Sequence, residues 1–366
     1  MMQRVFMTIL AVLCLAIMTV WNPMYGQEAP VDPSGYIVKY NKDFQGIGPK
    51  VYILPAPRTK MEMLTDVYKE IVPFRDSIQI ALKHQKFMAN FKAVSNEEDI
   101  QRLLDPMPAT DAVWDSLIHE HVHHNLLYLG YGLLNEYAKY LTALGEVDKA
   151  IARLEQALEY ASAVNNPPDV ATIQANLSTL QFLNMNAQEA EKHEEAYYAQ
   201  ASKSKNAIDQ GLSLVRLAHI QALDKNYRSA ENTIIRKAIP LFNRSRHYEG
   251  KIWAWEMLAD IYQAQNKHTE AQWFLIQARD LARLHEQESE LAEIEYMLGY
   301  SKFIQKNYEV AKGEFINAYD LAEKEENALL KLAIVEKLGN IYLSQRNVEL
   351  ADTLLKEYWQ LRTALF

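Results

Sequence analysis

The stretch WEMLADIYQAQNKHTEAQWFLIQA, residues 255–278, decides the fold. Trp255, Leu258, Ala259 and Tyr262 recur at helical spacing, and Ala271, Leu275 and Ala278 repeat that spacing further on. One alanine of this stretch sets a register for most of the chain. Ala150, Ala190, Ala230, Ala271, Ala311 and Ala351 stand 40, 40, 41, 40 and 40 residues apart. Twelve residues before each comes a small residue: Ala138, Ser178, Ala218, Ala259, Gly299 and Gly339. One before that is Tyr137, then Leu177, Leu217, Leu258, Leu298 and Leu338. Two helices cross closely only where both carry small side chains, and large apolar neighbours fill the space around the crossing.

The Trp255, Leu258, Ala259, Tyr262 and Ala271, Leu275, Ala278 pattern resembles the tetratricopeptide repeat (TPR), a pair of antiparallel helices. The resemblance covers about 127–366. It implies an all-α, right-handed α-solenoid of about six helix pairs, with helices longer than in the usual 34-residue unit. Four residues before each anchor alanine the chain turns, at Glu146, Asn186, Asn226, Lys267, Asn307 and Asn347. The asparagines there are expected to take the left-handed conformation that ends a helix. The fourth, fifth and sixth units match well. In the second and third, Glu194 and Lys237 stand where the pattern wants apolar or small residues, and Pro240 is expected to kink or end its helix.

The chain opens with Arg4 and an apolar run from Val5 to Trp21, followed by Pro23 and Gly26. This reads as a secretory signal, 1–26, cleaved after Gly26, with an uncleaved inner-membrane anchor as the alternative. The expected location is periplasmic or extracellular, with no membrane insertion of the mature chain. Leu13 is a poor predecessor for a lipidated Cys14. Cys14 is the only cysteine, so the mature chain has neither disulfide nor thiol chemistry. The net charge of −9 argues against nucleic acid as a partner.

Residues 27–59, rich in Pro and Gly, read as an irregular arm with extended segments at Tyr36–Tyr40 and Val51–Leu54. Residues 60–125 read as a helical N-terminal cap, possibly derived from a decayed repeat, ahead of a solenoid over 126–366. Pro73 separates its first two helices. Ser95 with Glu98 signals a capping box for a third, and Thr110 caps a fourth. The last turn, around Leu365 and Phe366, is apolar: it folds back on the sixth pair or offers a sticky end.

His119, Glu120 and His123 satisfy H-E-x-x-H, the pattern in which two histidines one turn apart hold zinc and the Glu acts as base. Against a zinc hydrolase, no strands precede the motif, and Glu136 is already explained as part of a repeat helix. Trp114, Leu117, Ile118, His121 and Val122 form the apolar face, leaving His119 and His123, the only metal candidates, toward solvent.

The TPR resemblance places binding residues on the first helix of each pair, which lines a concave groove. Carried over position by position, these are Asn135 and Lys139, then Thr179, His219, Glu256 and Asp260, Tyr296 and Tyr300, and Glu336 and Asn340. The groove so drawn is basic or neutral at one end, acidic and aromatic at the other. Tyr296 with Tyr300 and Glu256 with Asp260 are each one turn apart, which favours an aromatic contact flanked by positive charge. Trp253 is expected to face the groove, and Trp255 and Trp273 to pack. The sequence thus describes a non-enzymatic, cofactor-free scaffold for a protein or peptide partner, resembling exported TPR proteins of Bacteroidota-type bacteria. An extracytoplasmic sensor module acting in trans is the second reading.

Overall fold

The computed structural model describes residues 58–366 and the backbone of 37–39 and 51–53. The signal segment 1–26 and most of the arm lie outside the described residues. Two strands of the arm, β1 (Ile37–Lys39) and β2 (Val51–Ile53), pair antiparallel with Ile37 opposite Ile53. They fall inside the two extended segments read from the sequence.

Residues Lys60–Phe366 form a separate unit, built of helices. Four precede the repeats: α1 (Lys60–Glu70), α2 (Arg75–Met88), α3 (Glu97–Leu103) and α4 (Asp111–His123). A 3-10 turn, Val72–Phe74, joins α1 to α2. Six antiparallel pairs follow. They are α5 (Leu127–Ala143) with α6 (Val147–Val164), α7 (Pro167–Leu183) with α8 (Ala187–Lys203), and α9 (Ala207–Leu223) with α10. Then come α11 (Tyr248–Ala264) with α12 (His268–Leu284), α13 (Leu291–Ile304) with α14 (Tyr308–Lys324), and α15 (Ala328–Ser344) with α16 (Val348–Leu365). Helix α10 is continuous but has three parts: Tyr227–Thr233, a π turn at Ile234–Ala238, and Ile239–Ser245. Each helix of the six pairs packs on its neighbours in sequence, giving a TPR-like α-solenoid. No described helix is long and apolar enough to cross a membrane.

The anchor alanines Ala150, Ala190, Ala230, Ala271, Ala311 and Ala351 are all fully buried. Their small partners are buried too, and a Cβ at Gly299 would press into the Phe315 ring. The 40-residue period has a simple origin. Helices of 17 residues such as α7, α8 and α9 alternate with three-residue turns. Left-handed residues mark the beat at 125, 145, 165, 185, 205 and 225, then at 246, 266, 286, 306, 326 and 346.

These positions correct the sequence reading of the turns. The left-handed residue is the one before the asparagine: Met185, Lys225, Lys306 and Arg346, with Gly145 the sole glycine among them. The asparagine itself starts the next helix. Asn186 and Asn347 accept from the backbone N–H of Glu189 and Leu350, as N-caps do. The same residues also close the preceding helix, since Asn186 N–H donates to Gln181 O at 2.9 Å and Asn347 N–H to Tyr342 O at 2.9 Å. That six-to-one bond satisfies a carbonyl the helix end would otherwise orphan. It repays the steric cost of a left-handed non-glycine residue.

The 41-residue step from Ala230 to Ala271 is absorbed by the π turn. After Ile234 the buried series moves by one, so Ala238 and Phe242 are buried and Lys237 turns outward. Lys237 is therefore not a defect in the core. Pro240, expected to kink or end its helix, does not end it: it lies in the first turn after the π segment, where a missing N–H costs least. Glu194 is also accommodated. It is fully buried, and Arg216 grips it with two bonds of 2.9 and 2.7 Å while the Ser213 hydroxyl donates at 2.6 Å. This cluster ties α8 to α9. At the surface, Trp273 is 58% exposed rather than packed, and Phe366, also 58% exposed, does not fold back into the core.

Two outcomes follow for stability. Ala271→Leu overpacks the fourth crossing and is expected to cost on the order of 1–3 kcal/mol in thermal or urea unfolding. Arg216→Met strands a buried carboxylate and is expected to cost about 3–5 kcal/mol, most of it recovered when Glu194→Leu is added. Equal stability of the single and double variants would show that the pair carries no burial penalty.

Candidate functional site

The first helices of the pairs present polar side chains along one row, and helix α2 lies along that row. Helix α1 packs on the sixth pair. There the Tyr68 hydroxyl donates to Ala351 O at 2.8 Å and Lys60 pairs with Asp352 at 2.9 Å. A Cβ at Gly339 would collide with the Tyr68 hydroxyl, so this glycine leaves room for α1 as well as for its own pair. From the 3-10 turn, α2 runs back across the pairs in reverse order.

The contacts of α2 are mostly polar. The Arg75 guanidinium pairs with Glu336 on α15. Gln79 Nε2 donates to the Tyr296 hydroxyl on α13 at 2.7 Å. Lys86 Nζ reaches Glu256 on α11 at 3.2 Å and Glu293 on α13 at 2.7 Å. Phe87 stacks on Phe182 with ring centroids 4.2 Å apart and meets His219 edge-on at 4.9 Å. Ile78 and Phe87 are the only fully buried side chains described in α2. At about 1.5–3 kcal/mol each, their burial is a modest hold on a helix of 14 residues.

Beyond α2, the groove grips backbone. Lys92 N–H donates to Asn176 Oδ1 at 2.8 Å, and Lys92 O accepts from Asn176 Nδ2 at 2.7 Å and Asn135 Nδ2 at 3.2 Å. Asn176 Nδ2 also donates to Asn135 Oδ1 at 2.8 Å, which fixes both amides. Ser95 donates through N–H and hydroxyl to Asp169, at 2.8 and 2.6 Å. Ser95 therefore serves the second pair rather than capping α3, whose N-cap Asn96 makes no side-chain cap bond. A pair of amides that clasps both the N–H and the C=O of one residue can hold an extended segment whatever its side chain.

Electrostatics concentrate in pairs four and five. Burial drives the Glu256 carboxyl well above the usual carboxylate range, and Lys86 only partly offsets it. Burial alone would lower the Lys86 ammonium, yet Glu256 and Glu293 hold it well above its ordinary value. Burial lowers the His219 imidazole, and its contact with Asp260 at 3.2 Å, with Lys83 and Lys86 near, holds the half-exposed Asp260 carboxyl below its ordinary value. In pair six, Glu336 has its own cation, Lys337, besides Arg75. A cavity of about 740 Å³ remains between α2 and pairs three to six, with Trp253, Met257 and Tyr300 in its walls.

Of the ten groove positions read from the sequence, Asn135, His219, Glu256, Tyr296 and Glu336 touch the segment 75–92 directly. Asp260, Tyr300 and Asn340 lie behind them: Asp260 on His219, Tyr300 6.4 Å from the Tyr296 ring, and Asn340 bonded to Glu336. The structure does not bring Lys139 and Thr179 into the site. Lys139 is exposed beside Glu136, and the Thr179 hydroxyl bonds back to Ala175 O. Asn176, Asp169 and Glu293 are additional contacts. Asn176 and Asp169 had a signal, since they are polar residues on a helix that is otherwise apolar on most sides.

Helices α3 and α4 stand beside the first pair. Helix α4 packs there through Trp114, which stacks on Tyr137 at 4.8 Å. His119 and His123 lie on its exposed face with ring centroids 5.9 Å apart. Among the described residues no three His, Cys, Asp or Glu side chains are grouped to hold a metal ion.

No protein-family model matches the chain, and no curated protein matches it. Solved structures do share its fold. A Rap protein complexed with competence and sporulation factor is similar over 78% of this chain and 77% of its own, with TM-score 0.53 and 16% identity. BtubC (BKLC) from P. vanneervenii is similar over 60% of this chain and 92% of its own, with TM-score 0.52 and 15% identity. A signal transduction ATPase with numerous domains and a tetratricopeptide repeat sensor, from Pyrococcus horikoshii, is similar over 84% of this chain and 53% of its own, with TM-score 0.51 and 16% identity. The neighbours are TPR-like repeat proteins, and the chain shares their α-solenoid fold.

Proposed function

We propose that this protein is an exported interaction scaffold whose concave groove holds a peptide or protein segment. The observation that carries the reading is that the groove already holds one. Residues 75–95 lie in it through an ion pair in each of two regions, an aromatic stack and a backbone clasp. These are the elements by which a groove recognises a chain: polar contacts for register, buried aromatic area for affinity. The Rap protein with this fold is itself complexed with competence and sporulation factor, which is consistent with the reading. Export rests on the N-terminal signal pattern alone. The second reading, a regulatory module acting in trans, draws on the same helix, because an occupied groove has two states available to it.

The partner segment docks across pairs four and five. Capture from envelope extract by the wild-type chain is expected to weaken at least tenfold in Tyr296→Ala/Tyr300→Ala and in Glu256→Gln/Asp260→Asn, with folding checked by circular dichroism. Full-strength capture by both folded variants would move the site to the convex face or to the exposed turn at Phe366.

A further inference from the structure

The groove-facing residues of α2 form a basic stripe. Arg75, Gln79, Lys83 and Lys86 recur at three- and four-residue steps, so they share one side of the helix. What they face is more acidic than they can neutralise. The cavity beside α2 is lined by Glu249, Asp260, Glu290, Glu293 and Glu325, against the ammonium groups of Lys83 and Lys86. Burial and the neighbouring Glu293 push both the Glu290 and Glu325 carboxyls up, Glu290 despite Lys86. Glu256, fully buried, keeps one oxygen on Lys86, and its Oε1 has no hydrogen-bond partner among the described residues. The space is also underfilled, at about 740 Å³.

Little apolar area holds α2: among its described residues Ile78 and Phe87 are buried, Leu82 and Met88 are half-buried, and Ile80 is 68% exposed. A helix with few buried apolar contacts belongs to the least stable parts of a fold. The carboxylates that pair with Arg75 and Lys86 belong to α11, α13 and α15, so another cation can meet them in place of α2. In pair six the loss of Arg75 leaves Glu336 paired with Lys337, whereas in pairs four and five the loss of Lys86 leaves Glu256 without an ion-pair partner. The requirement for an incoming cation is therefore localised there.

We propose that α2 is a displaceable occupant of the groove, standing in for a partner helix of the same chemistry: Lys or Arg at three- and four-residue steps with one aromatic anchor. This rests on the groove reading above and adds the partner's charge and the competition with α2. A ligand that carries more positive charge than α2 fills the cavity and frees residues 75–92.

The probe is a labelled synthetic peptide of residues 75–92, offered to the full chain in trans. Weak binding is expected to the wild-type chain, whose groove is occupied. Binding at least tenfold tighter is expected to Gln79→Ala/Lys86→Met, in which α2 is loosened and the groove is intact. Adding Glu256→Gln/Glu293→Gln is expected to abolish that gain, and a peptide with its Arg and Lys changed to Glu is expected not to bind. Hydrogen exchange on the same samples reports whether amides 75–88 lose protection while α11, α13 and α15 keep theirs. The proposal is overturned if α2 is released and the peptide still does not bind, or if α2 stays as protected as α13 in every variant. A partner captured through the groove by an acidic or neutral segment would overturn this inference and leave the scaffold reading standing. A partner captured equally by the groove variants would overturn the scaffold reading itself.

Discussion

Close crossing of two helices at a small side chain is the constraint on which the rest depends. An alanine such as Ala271 or Ala311 lets each second helix approach its first, and the crossing repeats at nearly constant spacing. Stacked pairs then bury both faces of every first helix, one against its partner and one against the next pair. What remains is a narrow polar strip on each, and the strips align as the concave row. The left-handed residue at each turn keeps the beat, because it ends one helix and delivers an N-cap to the next. Where one extra residue enters, the π turn at Ile234–Ala238 restores the register within a single helix.

The strip is where the physics changes. A buried carboxylate such as Glu256 is expensive unless paired, and a solenoid has no second layer to supply the pair. Elsewhere the chain solves this inside the array, with Arg216 on Glu194 and Lys337 on Glu336. Glu295 on α13 is likewise paired inside the array, with Arg283, but for Glu256 the ion pair comes from outside the repeats, from Lys86 on α2. The groove's chemistry is thus completed by a segment that does not belong to the solenoid.

The repeats were legible because their signal is periodic. Six alanines, their small partners and the large residue before each define the crossings without reference to any contact. The turns were half legible: asparagine marked them, but its role as the start of a helix and the left-handed strain on the residue before it depend on backbone geometry. The third pair misled, since Lys237 and Pro240 read as defects until the π turn is seen to move the series by one. Least legible was α2. Nothing local marks Arg75, Gln79 and Lys86 as contacts, and their partners lie some 170 to 261 residues away. The complementarity was visible from the groove side only, where Glu256 and Asp260 called for positive charge. Asn176 and Asp169 escaped because the carry-over from the repeat pattern counts positions and does not weigh a polar residue against an apolar helix.

Lys86 on α2 and the groove carboxylates form one interaction. It is measured by a double-mutant cycle of Lys86→Met and Glu256→Gln, read by urea unfolding. A coupling on the order of 1–3 kcal/mol is expected, as for groups in one buried network. Additivity of the two single changes to within about 0.5 kcal/mol would contradict it, because residues that do not touch behave that way.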